Sequence, residues 1–191
     1  NGGNGTFSIE VNIVYDSIPP EITDYTPTIA TTGDSFTFNA CVTDDTKVLD
    51  VYVEYWYGSG THTNVSMEDG SYLKTITIGD TLEMLHYVIS AVDSSNNWND
   101  TGTKHVIILD NDKPEITNVV ISPSSQEIER YVNISCDVSD NIGINIVKVN
   151  ITPPNGEAVN ITMRVGEIYY YNASYTISGT YYYFICLLYT S

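Results

Sequence analysis

The sequence predicts an all-β protein made of tandem two-sheet sandwiches of seven short strands, the second of which lacks its last strand. Strand-favouring Tyr, Thr, Val and Ile are abundant, whereas helix formers such as Ala, Leu, Lys and Arg are few. Apolar and polar residues alternate at a period of two, and turn residues interrupt the alternation every 8–12 positions. The same pattern then recurs further along the chain, which indicates repeated domains.

The internal repeat sets the domain boundaries. The motif Pro-Glu-Ile-Thr at Pro20 recurs at Pro114, an offset of 94 residues. Three further blocks recur at an offset of 96 residues, namely those that begin at Val42 and Val138, Gly60 and Gly156, and His86 and Tyr182. We therefore expect a complete repeat at 18–112 and an incomplete one at 113–191. Residues 1–17 are expected to be the last strand of a preceding repeat, in a chain that is a piece of a longer protein.

Alternation within each repeat predicts which residues face the core. In the second and third strands of both repeats, one apolar set points inward and the intervening residues point outward. The predicted core residues are Phe36, Phe38, Ala40, Val42, Val51, Val53 and Tyr55 in the first repeat, and Val132, Ile134, Cys136, Val138, Val147, Val149 and Ile151 in the second.

Charge and hydropathy exclude several classes of partner. The net charge of −17 comes from 24 acidic and 7 basic residues. Such a negative field repels nucleic acid and anionic membrane surfaces, so neither is expected as a partner. No apolar run approaches the ~18–20 residues that span a bilayer, which predicts no membrane insertion in this segment.

The chain resembles the immunoglobulin-like and fibronectin-III-like repeats of secreted archaeal or bacterial surface proteins. The Pro-Glu-Ile-Thr opening, the Val-Thr-Asp-Asp block, and Tyr87-x-Ile89-x-Ala91-x-Asp93 with its following Ser94–Asn97 loop carry this resemblance. Tyr87 stands where such folds often place a corner tyrosine, and Trp56–Thr61 is faintly similar to the turn of polycystic-kidney-disease-type repeats. The resemblance implies an immunoglobulin-like sandwich in an extracellular or cell-surface location.

The match between the repeats fails at Cys186. The string at 186–191 resembles translated sequencing-adapter read-through, and we expect these six residues to be non-native. Without a last strand, the second repeat is expected to have an unpaired edge, lower stability and a tendency to associate. The spacing of Cys136 and Cys186 is similar to that of an immunoglobulin disulfide, but their opposite phases favour an ordinary core cysteine at 136. Cys41 is expected to point outward.

Acidic residues concentrate where the linkers and loops of each repeat meet. In this topology the incoming linker, the loop after the second strand and the loop after the sixth strand share one end. Leu109–Pro114 is loosely similar to the cadherin linkers that bind calcium between domains, and calcium at the domain junctions is one reading of these acids. The other reading is that these acidic residues are ordinary turn and linker residues. The candidate ligands are Asp16, Asp44, Asp45, Asp93, Asp110, Asp112 and Asp140.

Seven Asn-x-Ser/Thr sequons are candidate glycosylation sites, and several fall on predicted outward positions. The high frequency of Asn and Thr on solvent-exposed strands equally explains the number of sequons. The sequons are at Asn4, Asn64, Asn99, Asn133, Asn150, Asn160 and Asn172.

Function is predicted to be structural. No catalytic motif occurs, the three histidines are scattered along the sequence, and no cofactor is expected to be required. Short linkers with proline (18–20 and 113–114) favour a non-catalytic spacer, stalk or adhesion repeat in contact with neighbouring repeats, and beyond them with a surface protein or glycan. The alternative is a carbohydrate- or protein-binding accessory module of a larger extracellular enzyme. In that case the tyrosine runs at 169–171 and 181–183 and an outward Trp56 would form the binding face.

Overall fold

In the computed structural model, which describes residues 8–11 and 15–188, every regular element is a β-strand. This finding confirms the predicted all-β class. Sixteen strands are present among the described residues. Nine form a first sandwich and seven form a second, and the strands of each sandwich pair only with one another.

The strands of the first sandwich are arranged in two sheets. They are β1 (Glu21–Asp24), β2 (Ile29–Thr31), β3 (Ser35–Thr43), β4 (Val48–Tyr57), β5 (Thr63–Ser66), β6 (Leu73–Thr77), β7 (Leu85–Asp93), β8 (Trp98–Asp100) and β9 (Lys104–Leu109). One sheet has the order β1-β3-β6 and the other β2-β9-β7-β4-β5, with β8 also paired to β7.

Alternating apolar residues fill the space between these sheets, as the sequence predicts. Phe38, Val53, Leu85, Ile89 and Val106 are fully buried. Removal of this apolar surface from water is the main force that holds the sandwich together. Of the core residues predicted for this repeat, only Tyr55 is partly exposed.

The first sandwich has nine strands rather than seven because its first strand is divided and β8 is an extra short strand. Pro27 lies between β1 and β2 and has no N–H to donate to a strand ladder. The chain therefore leaves β3 after Asp24, whose side chain accepts a hydrogen bond from the Thr26 N–H at 2.9 Å. It then joins β9 in the opposite sheet through β2.

The second sandwich repeats this plan with fewer strands. They are β10 (Glu115–Ser122), β11 (Tyr131–Ser139), β12 (Ile146–Thr152), β13 (Val159–Thr162), β14 (Arg164–Val165), β15 (Tyr169–Ser174) and β16 (Tyr182–Leu188). The sheets have the orders β10-β11-β15-β14 and β13-β12-β16. Ile134, Cys136, Val147, Val149 and Ile151 form the buried core between them.

Two differences separate the second sandwich from the first. Strand β10 stays paired with β11 as far as Ser122 instead of crossing to the other sheet. Strand β16 pairs with β12 on one side, and no strand pairs with its other side among the residues that the structure describes. The predicted absence of a last strand therefore holds for these residues.

The chain divides into two compact units. The first contains residues Asn1–Thr28, Ser35–Thr77 and Glu83–Ile107, and the second contains Ile29–Asp34, Ile78–Leu82 and Ile108–Ser191. The predicted boundary between residues 112 and 113 stays a prediction.

The predicted strand at 1–17 falls mostly on residues 1–7 and 12–14, which lie outside the described residues, and residues 8–11 form no strand. Of the six residues expected to be non-native, 186–188 belong to β16 and 189–191 are not described.

The three cysteines are free. Cys136 is buried among the core residues of the second sandwich, and its burial raises the pKa of the thiol. Cys41 and Cys186 are exposed, as their phases in the alternating pattern predict.

Candidate functional site

Three of the predicted acidic residues meet at one end of the first sandwich. Asp44 follows β3, Asp93 ends β7, and Asp16 belongs to the incoming segment, which we define as residues 15–20. One carboxylate oxygen from each lies within 4.8 Å of the others. This is the one such group of three acidic, histidine or cysteine side chains in the described part of the chain.

Asp93 is the most deeply buried member of the group, with no exposed surface. Its Oδ1 accepts hydrogen bonds from the backbone N–H of Ser95 at 2.7 Å and of Asn97 at 2.8 Å. Its Oδ2 accepts one from the Asn97 side chain at 2.7 Å. Burial acts to raise the pKa of Asp93, but these bonds from Asn97 and Ser95 outweigh it and leave the pKa below its usual value.

Asp44 shapes the loop between β3 and β4. Its Oδ1 accepts hydrogen bonds from the N–H groups of Thr46 and Lys47, both at 3.0 Å, and from the Thr46 hydroxyl at 2.7 Å. Its Oδ2 is buried and has no hydrogen-bond partner. Buried polar atoms are normally paired, so this oxygen is available to an ion or a water molecule.

Asp16 links the incoming segment to both loops. Its carboxylate accepts hydrogen bonds from the Thr46 hydroxyl at 2.9 Å and from the Ile18 N–H at 3.0 Å. Its carbonyl oxygen accepts one from the Asn97 side chain at 3.3 Å. Because these contacts join three separate parts of the chain, they fix the direction in which the incoming segment meets the sandwich.

Two more contacts on either side of Asp16 hold the same segment. The Tyr15 hydroxyl donates a hydrogen bond to the carbonyl of Ser95 at 3.3 Å, and the Asn99 side chain donates one to the carbonyl of Pro20 at 2.8 Å. Pro20 itself is fully buried. Sequence reasoning placed Asn99 among the glycosylation candidates and missed this structural role.

The chemistry of the carboxylate group fits a hard cation. Calcium prefers six to eight oxygen ligands from carboxylates, carbonyls and water. Each of the three carboxylates still has lone pairs beyond the hydrogen bonds that it accepts. Both lone pairs of Asp44 Oδ2 are without a hydrogen bond. The three charges repel one another at this separation, and a divalent cation would remove that repulsion.

The other predicted calcium ligands lie elsewhere. Asp45 is exposed and outside the group. Asp110 is buried and accepts a hydrogen bond from the Thr32 hydroxyl at 3.2 Å. Asp112 accepts one from the same hydroxyl at 3.2 Å and another from the Asn141 side chain at 2.8 Å. Asp140 accepts hydrogen bonds from the N–H groups of residues 142 and 143, while its Oδ2 is buried without a partner, as in Asp44.

The sequon asparagines of the second sandwich form two pairs across neighbouring strands. The Asn133 side chain donates to the Asn172 side chain at 2.7 Å, and the Asn150 side chain donates to that of Asn160 at 3.0 Å. Asn64 is exposed on β5 of the first sandwich, and Asn4 lies outside the described residues. A glycan joins the side-chain nitrogen and leaves it one N–H, so a sugar on Asn133 or Asn150 is compatible with this bond only if the remaining N–H is the one that donates it.

The outer face of the larger sheet gathers the histidines, contrary to their scatter in the sequence. Trp56 on β4 lies opposite His86 on β7, and His86 lies opposite His105 on β9. The Trp56 ring stacks on His62 at 3.9 Å between centroids and on His86 at 5.6 Å. His62 also contacts the Glu54 carboxylate at 3.0 Å.

This stack changes the expectation for Trp56 as a sugar-binding residue. His62, which directly precedes β5, and His86 on β7 both stack on the indole. A sugar that stacks on Trp56 would compete with these imidazoles for the ring. Trp98 is 53% exposed and, among the described residues, stacks on Tyr52 alone, at 6.3 Å between ring centroids, which makes it the more accessible indole.

Comparisons with known proteins concern the fold. No protein-family model matches the chain, and no curated protein sequence matches it. Several solved structures are similar to it. The fibronectin(III)-like modules of Clostridium thermocellum CbhA share 19% identity at a TM-score of 0.37, over 87% of this chain and 85% of theirs.

Two further solved structures are longer than this chain. The FN1-FN3 domains of chicken CNTN1 share 9% identity at a TM-score of 0.37, over 88% of this chain and 60% of that one. A tetra-tandem repeat in the extending region of a large adhesion protein shares 18% identity at a TM-score of 0.39, over 83% and 42%. The chain thus spans less than two thirds of either. In the described part of the chain, no helix has the length and hydropathy needed to cross a membrane.

Proposed function

We propose that this chain is a non-catalytic structural repeat, a spacer or adhesion element of a secreted or cell-surface protein. The observation that carries the proposal is the fastening of the incoming segment. Four hydrogen bonds tie Tyr15, Asp16 and Pro20 to the sandwich end, and a fifth, from the Ile18 N–H to Asp16, lies within the segment itself. The polar groups that make these bonds therefore hold the incoming segment in position.

Fastening matters because a spacer works through reach and stiffness. A chain of domains transmits direction only when each linker is held against the domain that follows it. Buried Pro20 and its neighbour Pro19 narrow the backbone freedom of the same segment. We infer that neighbouring repeats are the chief partners, and that a surface protein or glycan is contacted by the array as a whole.

The order of the incoming segment tests this proposal. Backbone ¹⁵N relaxation of the full chain should give residues 15–18, the part of the segment that has backbone N–H groups, order parameters of about 0.85, like those of the strands. The double variant Asn97→Ala, Asn99→Ala removes two of the side chains that hold the segment, and its order parameters should fall below about 0.6 there. Asn64→Ala, on an exposed strand position, is the matched control. Low order parameters in the unsubstituted chain would overturn the proposal.

A second candidate function is calcium binding by Asp16, Asp44 and Asp93. It is supported by the approach of the three carboxylates to within 4.8 Å and by the unpartnered, buried Oδ2 of Asp44. A cation there would strengthen the same fastening, because one of its ligands belongs to the incoming segment and two belong to the sandwich. We do not extend the proposal to Asp110, Asp112 and Asp140, whose carboxylates do not form such a group.

Titration calorimetry with calcium separates the two readings of this acidic group. A calcium site predicts saturable binding of about one ion per chain that Asp44→Asn weakens at least tenfold. Asp45→Asn changes the same net charge in the same loop and should leave binding unchanged. Absence of binding in the unsubstituted chain, or equal loss in both variants, contradicts a specific site and leaves the fastening to hydrogen bonds alone.

A further inference from the structure

Two histidines lie side by side on the outer face of the larger sheet of the first sandwich. His86 on β7 is directly opposite His105 on β9 in the antiparallel ladder. Residues directly opposite each other point to the same face of a sheet, with Cβ atoms about 4.5–5.5 Å apart. The next pair, Leu85 and Val106, is fully buried between the sheets, so the two histidines point outward, toward solvent.

The backbone beneath this pair is held by the core of the sandwich. Leu85 pairs with Val106 on one side of the histidines, and Tyr87 pairs with Lys104 on the other. Leu85 and Val106 are fully buried, and Tyr87 is 3% exposed. The separation of the two histidines is therefore set by packed strands and does not depend on a loop. Ligands on such strands keep their relative position before anything binds.

The imidazole of His86 is also held from the side. Trp56 lies opposite His86 on β4, and the two rings stack at 5.6 Å between centroids with 21° between their planes. Stacking limits the rotation of the His86 ring but leaves the nitrogens at its edge accessible. Within the described part of the chain, neither His86 nor His105 makes a side-chain hydrogen bond or ion pair. The ring nitrogens of both are thus available to a ligand.

His62 has a different environment, although it stacks on the same indole. Its Nδ1 lies 3.0 Å from the Glu54 carboxylate. It directly precedes β5, which flanks β4 on the side away from β7. His62 is therefore engaged by another partner and is separated from His86 by the ring of Trp56 and its strand.

The chemistry of two neighbouring imidazoles selects the class of ligand. The imidazole nitrogen suits zinc, nickel and copper, whereas calcium takes oxygen ligands. Two nitrogens that each lie about 2.0–2.1 Å from one ion are roughly 3 Å apart, a separation that side chains on directly opposite strand positions can reach. No third histidine, cysteine or carboxylate of the described residues forms a group of three with the pair. Water would therefore complete the coordination.

The electrostatic setting favours a cation at this pair. The net charge of −17 raises the local concentration of positive ions around the whole chain. Lys104 directly precedes His105, but successive side chains of a strand point to opposite faces, so its ammonium group is directed away from the pair.

We propose that His86 and His105 together bind a divalent transition metal ion of the zinc and nickel class on the outer face of the first sandwich. Each imidazole gives the ion one nitrogen lone pair, and the ion links β7 to β9. The site shares no residue with the group of Asp16, Asp44 and Asp93, and it does not depend on the fastening of the incoming segment.

Imidazole ¹⁵N spectra of the full chain during a zinc titration test the proposal, because they report each histidine separately. The exposed thiols of Cys41 and Cys186 are alkylated beforehand, since thiolates also bind zinc. The ring nitrogens of His86 and His105 should shift together and saturate at about one ion per chain, while those of His62 stay in place. Unchanged nitrogens in the pair, or equal shifts in all three histidines, would overturn the proposal.

Nickel quenching of tryptophan fluorescence provides the matched variants. Nickel(II) is paramagnetic and quenches an indole close to it, and Trp56 stacks on His86. His105→Gln removes one ligand without changing the stack and should weaken the saturable quenching at least tenfold. His62→Gln changes the other stacked imidazole and should leave the nickel affinity unchanged, as should excess calcium. Equal affinity in His105→Gln and the unsubstituted chain, or competition by calcium, would place the ion elsewhere and reject the site.

Discussion

The substitution Ile89→Ala probes the closed core of the first sandwich. Ile89 is fully buried and lies opposite Val53, which is also fully buried. The change removes three carbon atoms, worth about 2.4 kcal/mol at roughly 0.8 kcal/mol for each buried group. A partly unrelaxed cavity adds to this, so we expect a loss of about 3–4 kcal/mol in the free energy of unfolding.

The repeat provides a matched substitution at Ile185, the counterpart of Ile89. Ile185 is only half-buried, and β16 pairs with β12 on one side while no other strand of residues 15–188 pairs with it. Less apolar surface returns to water when it is truncated, and the site is open to solvent already. We expect Ile185→Ala to cost about 1–2 kcal/mol, roughly half the cost at Ile89.

Tryptophan fluorescence during urea unfolding separates the two effects. Both tryptophans, Trp56 and Trp98, belong to the first sandwich, so their emission reports its unfolding alone. With a urea dependence of about 1.5–2 kcal/mol per molar, Ile89→Ala should lower the tryptophan midpoint by about 2 M. Ile185→Ala should leave that midpoint in place and lower a transition seen by circular dichroism. Equal losses in the free energy of unfolding at the two positions would refute the claim that the core around Ile89 is closed and the core around Ile185 is open.

Two further predictions concern the polar contacts of the first sandwich. Tyr87→Phe removes the hydrogen bond from the Tyr87 hydroxyl to the Asp24 carboxylate, 2.7 Å long, and should cost about 1–2 kcal/mol in the same tryptophan-detected urea experiment. The pKa of Asp93 is lowered by folding, so its contribution to stability is complete above the usual value of 3.8 and is lost as pH falls below it. Urea midpoints between pH 2 and 6 should therefore drop less steeply in acid for Asp93→Asn than for the unsubstituted chain.

Much of the fold follows from local pattern. A period of two placed Phe38 and Val53 inside and Cys41 outside, because the faces of a strand are fixed by the pleat. The division of the first strand at Pro27 was missed, although proline is a signal for it. After Pro27 the chain continues as β2, which pairs with β9, a strand that is remote in the sequence. The change of sheet therefore depends on tertiary pairing that periodicity does not encode.

The candidate site was predicted in part for the same reason. Loop topology brought Asp16, Asp44 and Asp93 together as expected, since three loop positions at one sandwich end are neighbours in any immunoglobulin-like fold. The hydrogen bonds of Asn97 and Asn99 to the incoming segment depend on exact loop shape and left no pattern in the sequence.

The aromatic and histidine stack was also missed. Alternation predicts that Trp56 points outward, but it does not give the register that sets Trp56 opposite His86 and His86 opposite His105. Register between strands comes from the packing of both faces and from turn geometry. Trp56 and His86, which are 30 positions apart in the sequence, therefore meet without any local signal.

Hydrogen exchange of the two equivalent strands, β7 and β16, tests most directly the account of a closed sandwich followed by an open one. Samples are kept dilute enough to be monomeric. Strand β7 is paired on both sides along much of its length, so its amides should be protected throughout that stretch. In β16, alternate amides point toward the free edge and should exchange quickly, while those bonded to β12 stay protected. Equal protection of β7 and β16 in the monomer would contradict the account.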